Sequence, residues 1–372
     1  MPDRPAMIVV GHSARALAFS AKLAGYAPLA IDVFGDDDTR EISLATITLE
    51  GGLSNGLTAA TVADAVEALL RAYDPMGLVY GSGFEHQPES IEAIGRHTRV
   101  FGNDAQTLAR AKDPLVLAKI CAAAAIPHPQ VALRPPDEPE GWLVKQRGGA
   151  GGAHIRPATR NCEVAPDGYF QREVRGHSIS ASFVGDGEAA SIVGLSAQWT
   201  APTPRSPFRY GGAVGPVSVD AARAEEIERA VRRLARELGL VGLNSADFIV
   251  SDDLAWLLEV NPRPGATLDV FDLDEDALLG RHVAACDGRM TTAAARTARK
   301  AAQIVYTACD TQSLFKSSWP DWTADRPARG TRISAGDPLC TVLASAGSVE
   351  AAKRLARERA RQIDALAKEW TT

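Results

Sequence analysis

Met7-Ile8-Val9-Val10 is an unbroken apolar run of strand length, and Gly11-His12-Ser13 interrupts it as a tight turn. Ala14 to Leu23 has a helical pattern closed by Gly25, and Leu29 to Phe34 is the next apolar strand. A strand, a helix and a second strand in this order predict a parallel sheet. Thr61 to Tyr73 (helix), Gly77 to Tyr80 (strand) and Pro88 to Gly95 (helix) continue the alternation to Phe101. Ala105 to Lys112 and Pro114 to Ala124 are then predicted helices, the second stopped by Ile126-Pro127-His128-Pro129.

Beyond residue 140 strands dominate. Gly141 to Gln146 is strand-like, Arg147 to Gly152 is a glycine-rich loop, and Ala153 to Arg156 is strand-like again. Strand, glycine loop, strand predicts an antiparallel hairpin, and G-x-x-x-x-G-K-[ST] is missing, so this is no P-loop. Tyr169 to Val174 and Ser178 to Val184 are further strands, joined through Arg175-Gly176-His177, and Pro202 to Pro216 is a Pro- and Gly-rich loop. In Ala221 to Leu238 the residues Ile227, Ala230, Val231, Leu234, Ala235 and Leu238 form one apolar stripe, which predicts a helix ended by Gly239. Asn244 to Val250 and Leu257 to Pro264 read as two strands about an Asp252-Asp253 turn. Strands at Ala302 to Thr307, Thr331 to Ile333 and Leu339 to Leu343, and a helix from about Val349 to Trp370, complete the chain. The expected architecture is α/β followed by α+β: a Rossmann-like part over 1–105, a central part over 106–290, and a β-rich extension with a terminal helix over 291–372.

Composition narrows the function. The 372 residues are 45% hydrophobic and 23% charged, as in ordinary globular proteins, and the net charge of −6 gives no field that would recruit nucleic acid. Five dispersed cysteines fit reduced thiols in a cytoplasm, and no run approaches the roughly 18 apolar residues of a membrane span. A cytoplasmic protein with small-molecule partners, and with neither nucleic acid nor membrane, is expected. Gly11-His12-Ser13-Ala14-Arg15-Ala16 keeps one glycine of the dinucleotide fingerprint, so the Rossmann-like half is expected to work without NAD.

The chemistry concentrates in the hairpin. Glu259 and Asn261 are two apart and share one face of their strand, and pairing brings Asp247 to the same sheet end. Two carboxylates and an amide oxygen form a hard oxygen set suited to Mg²⁺ (or Mn²⁺) carrying phosphates. His12, His86, His128 and His154 have no ligand spacing and are read as structural or solvent-facing. Asp269, Asp272, Asp274, Glu275 and Asp276 are read as an acidic helix start.

The order of these pieces resembles the ATP-grasp superfamily over roughly residues 1–290. The resemblance rests on Lys112-Asp113-Pro114, on Lys145 ahead of Gly148-Gly149-Ala150-Gly151-Gly152, on Gln171-Arg172-Glu173-Val174, and above all on Glu259-Val260-Asn261-Pro262-Arg263. It implies that Lys112 and Lys145 contact the phosphates of ATP, and that Gly148, Gly149, Gly151 and Gly152 let the backbone approach them. It implies further that Gln171, Arg172, Glu173 and Val174 line the adenine, and that Asp247, Glu259 and Asn261 hold the metal. Arg263, with Lys145, would serve the phosphoryl transfer. One departure stands out: where the family often has an acid for the ribose, this chain has His177 and Ser178.

The activity implied is activation of a carboxylate as an acyl phosphate and its transfer to an amine. A phosphotransferase, or an ATP-binding assembly subunit without chemistry, are the other readings. On the acceptor side, Arg209 and Tyr210 lie in the loop before Pro216, and Ser82 and Glu85 follow a strand of the first part. The closest resemblance is to predicted carboligases with a β-rich extension, here marked by Trp319-Pro320-Asp321-Trp322 and Gly336-Asp337-Pro338. These are encoded beside tetrahydromethanopterin-linked C1-transfer enzymes of methylotrophs. That setting implies cofactor assembly with an amino acid such as glutamate. Homodimers are common in the family, and no self-complementary patch is legible here.

Overall fold

The computed structural model describes residues 4–51, 57–160, 162, 164–292, 294, 296–312 and 319–368. The opening alternation folds as β1 (Ala6–Val10), α1 (Arg15–Leu23), β2 (Ala27–Asp32), α2 (Asp37–Ile42), β3 (Ala45–Thr48), α3 (Ala59–Ala72), β4 (Pro75–Tyr80), α4 (Glu89–Gly95) and β5 (Val100–Phe101). The sheet is parallel in the order β3-β2-β1-β4-β5, so the order reverses about β1 and β4. The α1 stripe Leu17, Ala18 and Ala21 is buried, and Ile8, Val10, Leu29, Ile31, Leu78 and Tyr80 pack into a core on the sheet. The N-terminal end of α1 faces protein groups: Asp32 accepts the Ala14 N–H at 3.4 Å and the Gly35 N–H at 2.9 Å.

Two helices, α5 (Ala105–Lys112) and α6 (Pro114–Ala123), lead out of this part, each with an Asp as N-cap. A four-stranded sheet follows: β6 (Val131–Ala132), β7 (Trp142–Gln146), β8 (Arg156–Pro157) and β9 (Gly168–Arg172), in the order β6-β9-β7-β8. The strand expected from Ala153 begins only at Arg156, because Gly151 to His154 are turn. Likewise Glu173 and Val174 leave β9 as extended connector.

The remaining chain builds an eight-stranded sheet from β10 (His177–Asp186), β11 (Ala190–Thr200), β12 (Tyr210–Gly215), β13 (Val241–Val250), β14 (Ala255–Asn261), β15 (Arg299–Tyr306), β17 (Thr323–Ala324) and β19 (Pro338–Ala346). Its order is β14-β13-β10-β11-β12-β15-β19-β17, and a separate pair joins β16 (Thr311–Gln312) to β18 (Arg332–Ile333). Helix α7 (Ala221–Leu238) covers this sheet with the six apolar residues of its stripe, all buried. The short α8 (Leu268–Phe271) and α9 (Leu278–Cys286) pack between this sheet and α1, and α10 (Val349–Lys368) lies on β15 and β19. Trp370, expected to end that helix, lies outside the described residues.

Tyr210 to Gly215, read as loop from the sequence, is a strand. Its Tyr-Gly-Gly-Ala-Val-Gly composition has too few side chains to show a two-residue alternation. The β-rich tail is hydrogen-bonded into the main sheet through β12 and β15, with Ala213 opposite Ala302 and Val214 opposite Ala301. Among the described residues no helix is long and apolar enough to cross a membrane.

Candidate functional site

Strands β13 and β14 pair as the hairpin expected, and Asp247 lies opposite Glu259 in the ladder, Ser245 opposite Asn261. The two carboxylates are bridged by the Asn261 amide, whose Nδ2 donates to Asp247 at 3.0 Å and to Glu259 at 3.5 Å. Asn261 Oδ1 accepts from the Lys112 ammonium at 2.5 Å, and Lys112 stands 4.0 Å from Glu259. Lys112 comes from the last turn of α5, so the helix and the hairpin meet at this point. Lys145, on β7, is also buried and donates to Gln171 on β9 at 3.1 Å. The Gln171 amide nitrogen in turn donates to the Leu258 carbonyl on β14. Thus one helix and two sheets meet here: Lys112, Gln171 and Glu259 line a cleft beside Gly148 and Gly149, and Lys145, Asp247 and Asn261 are bonded to or paired with these residues.

Electrostatics separate the two acids. Burial, and then the neighbouring Glu259, push Asp247 above the carboxylate range. Glu259 is held below it: burial opposes this, and the Lys112 and Lys145 ammonium groups outweigh burial. Burial also works against the Lys145 charge, yet Tyr169 and Glu259 raise its pKa. Asp247 Oδ1 is buried and accepts no hydrogen bond. Orphaned buried carboxylate oxygens are costly, so this atom marks where a cation fits. Among the described residues no group of three or more His, Cys, Asp or Glu converges as a complete cage. Two acids suffice for Mg²⁺ that also takes phosphate oxygens and water. As the amide stands, its nitrogen faces the acids, so Asn261 becomes a ligand only with the amide turned over, which releases Lys112.

The glycine loop closes the cleft by close backbone contact. Gly148 has φ +72° and a Cβ there would strike the Glu85 carbonyl, while Gly152 has φ +70° and lies against the Phe208 carbonyl. The Tyr210 N–H donates to the Gly151 carbonyl at 2.8 Å. Of the residues expected to line adenine, Gln171 is buried, whereas Arg172 and Glu173 are exposed and Val174 half-buried. Arg172 donates to the Glu140 carbonyl and lies over the Trp142 ring, turned from the cleft. His177 is exposed at the start of β10, and Ser178 Oγ reaches Gln198 at 3.4 Å.

Arg263 follows the hairpin and its Nε donates to Glu85 at 2.8 Å, with Nη1 on the Pro264 carbonyl. Glu85 also accepts the Gly83 N–H at 2.7 Å. Burial raises its pKa, but Arg263 and Lys112 bring it down to about 2. The chain end of the hairpin is anchored on the Rossmann-like part by Asn103, whose amide donates to the Pro262 carbonyl and to Asn244, each at 2.8 Å. Nothing in the sequence pattern singles out Asn103. Ser82 offers its carbonyl to the His12 N–H at 2.9 Å. Arg209 is committed elsewhere: it stacks 3.6 Å over Tyr306 and donates to the Ala201 and Gly336 carbonyls. Tyr210 receives the Tyr306 hydroxyl on its carbonyl at 2.8 Å. Two histidines read as structural border the site. His154 packs on Gly149, and burial drops its pKa to about 4. His128 lines the cleft, and burial lowers its pKa as well. Of the acids of 269–276, Asp269 pairs with Arg15 and Asp276 with Arg296 and Arg281, while Asp272 accepts the Leu278 N–H.

A family model described as an ATP-grasp domain matches residues 111–267, which include every residue of the cleft named above except Glu85. No curated protein matches the chain by sequence. Among solved structures, a biotin carboxylase from Campylobacter jejuni in complex with β-γ-ATP is similar at 12% identity, covering 93% of this chain and 88% of that one, with a TM-score of 0.71. The biotin carboxylase domain dimer of the Hydrogenobacter thermophilus 2-oxoglutarate carboxylase, with MgADP, ADP and bicarbonate, gives 13%, 94%, 89% and 0.70. An L-amino acid ligase from Bacillus licheniformis gives 13%, 96%, 97% and 0.69. At such identities the likeness is one of fold, and it extends over nearly the whole chain.

Proposed function

We propose that the protein binds ATP with Mg²⁺ in this cleft and activates a carboxylate for ligation to an amine. The observation that carries the reading is the facing pair Asp247 and Glu259, with one orphaned carboxylate oxygen and two buried ammonium groups beside it. The orphaned oxygen is left unsatisfied by the protein's own groups and would be satisfied by a cation that also carries phosphates. The structural neighbours support the nucleotide, since one is a complex with β-γ-ATP and another a complex with MgADP and ADP.

In the proposed reaction a carboxylate oxygen attacks the γ-phosphorus and ADP leaves. An amine nitrogen then attacks the acyl carbon, inorganic phosphate departs, and the amine proton is lost to solvent or base. Mg²⁺, held by Asp247, Glu259 and a turned Asn261, would neutralise charge on the phosphates. Lys112, freed by that turn, and Lys145 would draw the phosphate oxygens into line. Gly148 to Gly152 would cover them and exclude water. Arg263 is oriented by Glu85 and keeps Nη2 uncommitted for the transferred group or the acid. The L-amino acid ligase, matched over 97% of its own chain, supports an amino acid among the substrates. The C1-cofactor setting is carried by the sequence resemblance alone.

The test is trapping. With ATP, Mg²⁺, hydroxylamine and a panel of acids, the reading predicts ADP and a hydroxamate in equal amounts for the right acid. ADP formed together with a stable phosphorylated product would overturn the ligase assignment in favour of phosphotransfer.

A further inference from the structure

We propose that His128 reads the nucleoside, its Nε2 accepting a hydrogen bond from a neutral donor, either the exocyclic amine of the base or a ribose hydroxyl. The inference rests on the nucleotide reading above and adds a specificity-determining residue to it.

The tautomer follows from the geometry. His128 Nδ1 lies 2.7 Å from the Leu257 carbonyl, which can only accept, so the proton is on Nδ1 and Nε2 carries a lone pair. That lone pair is buried and meets no donor. The ring is also fixed in place. The Leu257 N–H donates to the Pro127 carbonyl at 2.8 Å, so residues 127 and 128 are bound by two hydrogen bonds to the strand that carries Glu259. The imidazole lines the same cleft as Lys112, Gln171, Leu258 and Glu259.

Its neighbours cannot serve the purpose. Gln171 Oε1 is taken by Lys145 and Asn261 Oδ1 by Lys112. The partner must itself be a donor, which excludes phosphate oxygens, since a lone pair repels them. Amines and hydroxyls of the nucleoside have the required chemistry. His128 would then supply a contact that the His177 and Ser178 departure leaves open.

The experiment is a titration by calorimetry, with Mg²⁺, of wild type, His128→Asn and His128→Gln. The nucleotides are ATP, 2′-deoxy-ATP, 3′-deoxy-ATP and purine riboside triphosphate, which lacks the exocyclic amine. Asparagine keeps a donor near Nδ1 and removes the acceptor, whereas glutamine restores an oxygen near Nε2. His128→Asn should weaken ATP about 5–10-fold, the worth of one hydrogen bond, with His128→Gln closer to wild type. For one analogue wild type and His128→Asn should bind alike, and that analogue identifies the donor as amine or hydroxyl. Equal ATP affinity in wild type and His128→Asn overturns the proposal. So does an equal loss for all four nucleotides, which would mean that the ring only props the strand. If His128→Asn fails to fold, His128→Gln with ATP affinity reduced as much as 10-fold also overturns it. Wild type that binds none of the nucleotides would instead defeat the nucleotide reading itself.

Discussion

Glu259 and Asp247 face each other across one rung, in environments that hold Glu259 charged and push Asp247 towards the neutral form. Glu259→Gln keeps the shape and removes one charge, so turnover should fall by about 100-fold or more, the several kcal/mol expected of a lost metal ligand. The same change removes a carboxylate that the Lys112 and Lys145 ammonium groups stabilise, so the ligand-free variant should also melt somewhat lower than wild type in a thermal scan. A second residue-scale prediction concerns His282, which is buried, accepts the Leu243 N–H at 2.8 Å on Nδ1 and donates from Nε2 to the Phe101 carbonyl at 2.9 Å. The Leu243 bond requires the neutral ring, and burial drops its pKa from 6.5 to about 4, against the pull of the Phe101 carbonyl. Above pH 6.5 neither state takes the proton; below it the unfolded chain does and the fold does not. Stability should therefore be lost as pH falls from 6.5 to 4, by roughly 3 kcal/mol. In His282→Gln that part of the pH dependence, measured by urea unfolding, should vanish.

At the scale of elements, the glycine loop is held down from outside. Gly151 and Gly152 contact Phe208 and Tyr210, and Arg209 and Tyr306 bind that segment to β15 and to the turn at Gly336. Arg209→Met should free the loop, raising amide hydrogen exchange at Gly149–Gly152 by about tenfold, with α3 unchanged. An unchanged rate would mean that the loop is closed by its own residues. Elements were legible where side chains repeat. The α7 stripe and the alternation around Glu259 and Asn261 predict their elements closely, because burial on one face leaves a period in the sequence. β12 escaped because glycine carries no pattern, and β3, an edge strand of four residues preceded by α2, is too short to show one. Part of the candidate site's geometry was legible too: Asp247 facing Glu259 follows from the spacing of the two strands, and Lys145 stands out only through the family resemblance. The Gly151–Tyr210 contact and the unpaired side of His128 arise only when distant segments meet.

The whole molecule is tied together at Arg15. This buried guanidinium, at the start of α1, binds Asp269 with Nη1 and Nη2 at 2.5 and 2.6 Å and Asp325 with Nε and Nη2 at 3.0 and 3.2 Å. The partners are 254 and 310 residues away, so neither could be inferred from local sequence. Asp325 adopts φ +54°, a left-handed conformation rare outside glycine, and its N–H and that of Arg326 are held by Asp38. Removing one member of a buried pair strands the other charges, so Arg15→Met should cost about 3–5 kcal/mol in chemical denaturation. A loss within experimental error would show that the three segments are held mainly by apolar packing.

The central claim is that Asp247, Glu259, Lys112 and Lys145 form a magnesium nucleotide site. The most direct test is thermal melting with ATP, in Mg²⁺ and then in EDTA, with NAD as control. At about 100 times its dissociation constant MgATP should add roughly 2.7 kcal/mol of stability. The melting temperature should then rise with ATP and Mg²⁺, return towards baseline in EDTA, and stay unmoved with NAD or in Glu259→Gln. No rise at millimolar MgATP, or the same rise in Glu259→Gln as in wild type, would contradict the account.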